Sequence, residues 1–422
     1  MKKLVVFAFL SILSLATFAQ GPIKTEVRKV NGQWEILRGG EPYYIKGAGG
    51  HVHMDIVVEC GGNSIRTWGL EGAQEILDEA HSKGLTVMLG LWMSHERHGF
   101  DYSDEWAVKD QLKGFRKAVE QFKDHPALLL WGVGNEVDLF YSDINVWDAT
   151  EQLAAMIHEV DPNHPTCCVT AGIDAAEVQL INERAPSIDI LGVNTYGGIN
   201  NLKHSIDLFG WEGPYIVSEW GPTGHWEVQT TTWGAAIEET SYEKSQAYNQ
   251  RYSEGILADR EQCIGSYVFL WGQKQETTPT WYGLFLEDGS MTPAIDVLHR
   301  HWKGTEPANR APDLLSMTMD GKERFASLEY DRGSNAQFEV KYEDKDKDAV
   351  TMKVEIIPES TDIRAGGDKE ARPESVFKST YDSPSGAIDL DLPDDPGAYR
   401  VFVYLHDSKG KAATGNFPFY VR

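Results

Sequence analysis

The chain has 422 residues and a formal net charge of −25, with 39 Lys and Arg against 64 Asp and Glu. A surface this acidic excludes nucleic acid and anionic membranes as partners and disfavours sulfated or polyuronic ligands, so a neutral ligand fits best. Hydrophobic residues at 41% exclude wholesale disorder, and the length suits a barrel-sized domain plus a smaller module.

Lys2 and Lys3, the apolar run 4–15, and small Thr17 and Ala19 before Gln20 predict an export signal over residues 1–19. No Cys follows that point and no later run is long enough to cross a bilayer. The protein is therefore expected to be secreted or periplasmic, without a lipid anchor, and monomeric.

Residues 27–47 read as a short hairpin leading into a first buried strand. Eight apolar strand-like runs then follow, over residues 43–47, 63–68, 86–92, 128–135, 166–171, 188–196, 215–220 and 264–271. Amphipathic segments lie between them, among them 73–83, 107–122, 147–159 and 242–259. Strands alternating with helices imply a parallel sheet, and eight units over about 250 residues match a closed (β/α)8 barrel, here residues 24–305. An open doubly wound sheet is the alternative. Gly47, Gly49 and Gly50 after the first strand do not make its phosphate-binding fingerprint.

Residues 305–312 hold two prolines and no apolar period, which marks a linker. Beyond it, short alternating runs over 325–330, 337–342, 351–357, 386–390, 399–406 and 416–421 predict an immunoglobulin-like β-sandwich over residues 310–422. With no barrel-rim carboxylate in it, this module is expected to take no part in bond cleavage and to serve a structural role. Asp344, Asp346 and Asp348 alternate before one strand. They read as a solvated acidic turn rather than a calcium loop, since the central Gly of such a loop is missing. Of the four cysteines, Cys60, Cys167, Cys168 and Cys263, adjacent Cys167 and Cys168 should point to opposite faces of a strand. No zinc spacing is present, and buried free thiols are expected.

Chemistry in such a barrel sits where strands end, at the carboxyl-terminal rim. The fourth run closes on Gly134-Asn135-Glu136 and the seventh on Ser218-Glu219-Trp220-Gly221. A lone rim carboxylate is better read as half of a structural ion pair. Two, each closing a buried strand, are costly to bury, and cleavage of a glycosidic bond needs two such groups, one protonated and one ionised. His51 and His53 after the first run, with His95 and His98 after the third, raise a metal-dependent alternative. It lacks ligands at the ends of the fifth, sixth and eighth runs, so neither metal nor other cofactor is expected.

The run His125-Pro126-Ala127-Leu128-Leu129-Leu130-Trp131-Gly132-Val133-Gly134-Asn135-Glu136 resembles the strand-four signature of clan A retaining glycoside hydrolases, especially the β-galactosidase/β-glucuronidase family. Ser218-Glu219-Trp220-Gly221 resembles the strand-seven nucleophile of that clan. Asn63-Ser64-Ile65-Arg66-Thr67-Trp68 and Leu191-Gly192-Val193-Asn194-Thr195-Tyr196 are similar to its strand-two and strand-six motifs. A barrel with one C-terminal immunoglobulin-like domain is also similar to bacterial endo-β-1,3-glucanases. The resemblance implies Glu136 as acid/base and Glu219 as nucleophile. It implies further that Asn135 bonds the sugar 2-hydroxyl, Arg66 keeps Glu219 ionised, Tyr196 orients Glu219 and Trp271 floors the reacting subsite. Trp92, closing the third run, and His95, in the loop after it, are expected to contact substrate. Trp68, Trp220 and Trp281 are divided between site and core. The function expected is endo-acting hydrolysis of a neutral β-glucan, most of all β-1,3-glucan. An exo-β-galactosidase, a β-mannosidase or a transglycosylase is the alternative of like chemistry, and a non-catalytic sugar-binding protein the alternative of another class.

Overall fold

The computed structural model describes residues 21–382 and 386–422, so the expected export signal lies outside the described residues. No described helix is long and apolar enough to cross a membrane.

Eight parallel strands close into a barrel: β1 (Ile45–Gly49), β2 (Ser64–Arg66), β3 (Thr86–Leu91), β4 (Leu128–Val133), β5 (Thr166–Ala171), β6 (Ile190–Asn194), β7 (Tyr215–Trp220) and β8 (Cys263–Val268). Each falls within or beside one of the eight apolar runs. The strands are buried on both faces, so they read as continuous apolar stretches rather than alternating ones. Inside the barrel Ile45, Met88, Leu130, Cys167, Val169, Ile216 and Tyr267 pack into one cluster. Cys168, one residue on, joins the outer core between strands and helices instead, as the period of two requires. All four cysteines are buried and free. The antiparallel strands Thr25–Val30 and Gln33–Arg38 carry Ile36, Val27 and Trp34 against the inner cluster and so plug the amino-terminal end.

The expected helices form over Ala73–Ser82, Glu105–Phe122, Asn145–Val160 and Ser241–Gln250. Asp104 caps the second, accepting from the amides of Trp106 and Ala107, and Thr240 with Glu243 makes a capping box on the last. The last runs straight into a wider turn over Arg251–Ile256.

After Pro293–Lys303, the final barrel helix, two sheets face each other. One holds Asp313–Met319, Asn335–Glu343 and Ala387–Asp391. The other holds Glu329–Tyr330, Ala412–Val421, Gly397–His406, Thr351–Pro358 and Phe377–Asp382. Leu314, Phe338 and Leu390 from the first interlock with Val354, Val401 and Phe417 from the second, which is a β-sandwich core. Strand Phe377–Asp382 has no counterpart among the runs read from sequence; its exposed alternate residues give it no apolar signal. The sandwich is joined to the barrel through buried charge. Glu238 of the barrel is fully surrounded, accepting from Lys244 Nζ at 2.5 Å, Thr278 Oγ1 at 2.5 Å, Thr280 Oγ1 at 2.8 Å and sandwich residue Asn416 Nδ2 at 2.5 Å. Sandwich Lys411 likewise pairs with barrel Asp296.

Candidate active site

At the carboxyl-terminal rim lies a cavity of about 650 Å³ lined by Asn135, Glu136, Asn194, Tyr196 and Glu219. Glu136 follows β4 through Gly134, whose φ is 68° and whose place admits no Cβ, since one would sit 2.9 Å from Val137. Glu136 itself is left-handed at φ 50°, held there by its amide bonding Val169 of β5 at 2.9 Å. A non-glycine residue in this region is strained, and such strain collects at functional positions. The turn aims the side chain into the cavity, where Asn194 Nδ2 donates to Glu136 Oε1 at 2.8 Å.

Glu219 is the last residue but one of β7 and is 5% exposed. Its Oε1 accepts from Trp68 Nε1 at 2.7 Å and from Arg66 Nη1 at 3.0 Å, and its Oε2 accepts from the Tyr196 hydroxyl at 3.0 Å. Three donors, one of them a buried guanidinium, thus converge on this carboxyl group. Arg66 also donates Nη2 to Asn135 Oδ1 at 2.6 Å, which ties β2, β4 and β7 through one side chain. Glu136 has the opposite surroundings. Burial first, then the charge of Glu219, pushes its carboxyl up to about 8, so it holds its proton at neutral pH. Two carboxyl groups in one cavity, one supplied with donors and one kept protonated, are the pair that acid-assisted glycosyl transfer requires.

His95 is buried beneath the rim. Its Nδ1 accepts from Arg97 Nε at 3.0 Å, so Nε2 carries the proton and donates to the Asn135 carbonyl at 2.7 Å. Burial and the Arg97 charge lower its basicity to about 4, which keeps it neutral. Arg66 and His95 thus act from behind Asn135 and Glu219 and do not line the cavity. Trp92 does line it and is 38% exposed. Trp271 departs from expectation. It is 1% exposed and packs outward against Phe285 and Trp302. The strand ends at Val268, three residues earlier than the apolar run suggests, and Phe269 and Leu270 take the cavity wall instead.

Several lining residues escaped the sequence reading: Phe140, His225, Trp226, Glu227, Lys274 and Glu276. All sit in loops after strands, where period gives no signal. Asn194 was legible in principle as a polar residue closing a buried strand. Most unexpected are Ala365, Gly366 and Gly367, which line the cavity from the sandwich. The C-terminal module therefore reaches the site, contrary to a structural role alone. The four rim histidines do not come together as one group: His53 packs tilted on Phe285, while His95 and His98 stack on each other with ring centroids 5.4 Å apart. Among the described residues, the acidic group able to share one ion is Asp344, Asp348 and Asp407 in the sandwich, whereas Asp346 pairs with Arg310 at 2.7 Å.

A family model described as the TIM barrel domain of glycosyl hydrolases family 2 matches residues 72–304. The chain belongs to glycosyl hydrolase family 2. Among curated proteins it is similar to the β-glucuronidase of Felis catus, at 25% identity over 183 residues, covering 38% of this chain and 26% of that protein. It is also similar to a β-galactosidase of Bacteroides ovatus, at 25% over 204 residues, covering 40% and 23%. Among solved structures, the Lactobacillus rhamnosus β-glucuronidase superposes with a TM-score of 0.52 at 18% identity, over 66% of this chain and 52% of that one. The Bifidobacterium dentium β-glucuronidase gives 0.51 at 19%, over 66% and 49%. The chain thus matches about a quarter of the length of these curated relatives and about half of these structures. At such identities the structures speak for the fold alone. The family found is the β-galactosidase/β-glucuronidase one, and the endo-β-1,3-glucanase likeness gains nothing from these matches.

Proposed function

We propose that this family 2 protein is a retaining β-glycosidase in which Glu219 attacks the anomeric carbon while Glu136 gives its proton to the departing oxygen. The glycosyl ester on Glu219 is then released when Glu136, now ionised, takes a proton from water that attacks the same carbon. The observation that carries the reading is the contrast between the carboxyl groups: Glu219 receives three donors, and Glu136 is held protonated. Asn135, held by Arg66 and His95, would bond the sugar 2-hydroxyl.

For the substrate we propose a neutral β-glucan, with β-1,3-glucan first and cleavage within the chain. Two features support this. Glu219, Glu227 and Glu276 line the cavity against one lysine, Lys274, which Glu276 already holds at 2.7 Å, while Glu136 keeps its proton. A uronate would meet more negative than positive charge there. Trp92, Phe140 and Trp226 border the cavity with exposed rings, 61% exposed in Trp226, and several flat surfaces beyond the reacting pair suit several sugar units. A second reading, exo-action on a β-galactoside or β-glucuronide, is favoured by the names of the relatives. A panel of laminarin, mixed-linkage glucan, mannan and galactan, with aryl β-glucoside, β-galactoside and β-glucuronide, tests the choice. Early long products from laminarin support the first reading. Turnover of the aryl galactoside or glucuronide, with no polysaccharide cleaved, replaces it with the second.

A further inference from the structure

Strands Thr351–Pro358 and Phe377–Asp382 are antiparallel neighbours, with Ile356 opposite Phe377. A tight turn of two to five residues would join them. The chain instead makes a long excursion, residues 359–376, without regular structure, and this excursion leaves the sandwich for the barrel rim. Long irregular connections inside compact domains are most often functional.

The excursion is fastened at both sides of the cleft. On the loop after β3, Arg97 Nη1 donates to the Ala365 carbonyl at 2.9 Å and to Asp368 Oδ2 at 3.1 Å, and His98 Nε2 meets the same oxygen at 2.9 Å. On the loop after β8, Lys274 Nζ donates to the Gly367 carbonyl at 2.9 Å, and the Thr277 amide donates to Glu370 Oε2 at 2.6 Å. The other oxygen of Glu370 accepts the Arg364 amide at 3.0 Å, so one buried carboxylate shapes the loop and ties it down. Between the fastenings, Gly366 and Gly367 are both left-handed, at φ 63° and 69°. A Cβ on Gly366 would lie 2.7 Å from the Arg97 guanidinium. The glycine pair lets bare main chain pass close to Arg97 and Lys274 and form part of the cavity wall.

We propose that this sandwich loop is a specificity-determining wall of the cleft, built by the main chain of Ala365, Gly366 and Gly367, that limits how many sugar units bind on the non-reducing side of the cut. The side follows from the acid. The leaving-group oxygen must meet Glu136 on β4, beside β5, whose Ala171 and Gly172 border the cavity. The wall is fastened to the loops after β3, the neighbour of β4, and after β8, on the arc of the barrel away from β5 and β6, and the glycone is taken to extend along that arc. Asp368 is its latch and acts as a positioning residue through Arg97 and His98. The inference rests on the glycosidase reading above.

The test compares wild type with Asp368→Ala and with a variant whose residues 362–371 are replaced by a short Gly-Ser link. Laminarihexaose and 4-nitrophenyl β-glucoside are the probes. Both variants should change KM on the hexaose, by about tenfold for the replacement, equivalent to losing one or two hydrogen bonds to sugar. They should also broaden the range of product sizes, and change kcat/KM on the hexaose more than on the aryl glucoside, which reaches only the reacting subsite. Asp368 is a partly exposed side chain, so the point variant is readable even where the replacement does not fold. Unchanged KM and an unchanged product range in Asp368→Ala, with a wild type that cuts the hexaose, overturn the wall. A wild type that ignores laminarihexaose but cuts cellohexaose or mannohexaose overturns the β-1,3-glucan reading instead, and the variants are then compared on the oligosaccharide that is cut. A wild type that cuts the aryl glucoside and none of the oligosaccharides overturns both.

Discussion

Trp68 Nε1 donates to Glu219 Oε1 at 2.7 Å, on the oxygen that also accepts Arg66 Nη1 at 3.0 Å. An indole can only donate, so Glu219 Oε1 is the acceptor, and such a bond is strongest when the acceptor is charged. Trp68→Phe keeps most of the ring volume and removes the donor. A hydrogen bond to a charged group contributes about 1.5–3 kcal/mol, so kcat should fall on the order of ten- to a hundredfold with the fold intact. Steady-state kinetics with circular dichroism as a folding control decide it. A variant at wild-type rate shows that the bond plays no part in turnover.

The two glutamates should separate by leaving group. Glu219→Gln removes the attacking atom and should abolish turnover on every substrate. Glu136→Gln should cost about 10²–10⁴ on a substrate with a poor leaving group and far less on a dinitrophenyl glycoside, whose departure needs no acid. With Glu136 as the proposed acid, its proton held up to about 8, wild-type kcat/KM should decline as pH rises past that value. Glu136→Gln should lose that alkaline limb.

The same group links to stability. Raised from 4.5 when unfolded to about 8 when folded, Glu136 binds its proton more tightly in the native state. Its contribution is therefore full below about pH 4.5 and is lost as pH climbs through 8. Glu136→Gln should gain in Tm relative to wild type as pH moves from 5 to 9. Parallel Tm profiles across that range would refute the linkage.

His95 works with the reverse sign. Lowered from 6.5 to about 4, it stays neutral in the fold, so its contribution is present above 6.5 and is lost as pH falls through 4. His95→Gln retains an N–H for the Asn135 carbonyl and cannot protonate. It should show a flatter Tm between pH 6.5 and 4 than wild type, whatever its absolute Tm at neutral pH.

Prolonged chelation should leave turnover unchanged, since the acidic group Asp344, Asp348 and Asp407 lies in the sandwich and lines no part of the cavity. Activity is followed with and without EDTA, then after adding calcium or zinc. Activity lost to EDTA and restored by zinc alone would return the rim histidines to consideration as ligands.

Sequence reading located the barrel strands and both glutamates because burial on two faces writes long apolar runs, and carboxylates closing such runs stand out. It misplaced Trp271, because an apolar run does not say where hydrogen bonding stops: β8 ends at Val268, and the next residues alternate differently. It left Trp68 undecided, since one indole serves core or site equally well until its N–H is located. The wall at Ala365 to Gly367 was out of reach. It depends on a contact between segments some 230 residues from Glu136 in the chain, and a polar, glycine-bearing loop of that kind has the composition of any surface turn.

Glu238 bears on how the molecule comes apart. Its ring of donors is drawn from Lys244, Thr278 and Thr280 on one side of the joint and Asn416 on the other. Parting the sandwich from the barrel would strip one donor from a fully enclosed carboxylate and, with Lys411 withdrawn, leave Asp296 a buried anion without its cation. Either loss is expensive in a dry interior, where removing one partner of a buried pair costs about 3–5 kcal/mol. On this geometry the barrel and the sandwich should behave as one cooperative unit: heating should melt them in one calorimetric transition, and the rim cavity should not outlive the module that leans over it.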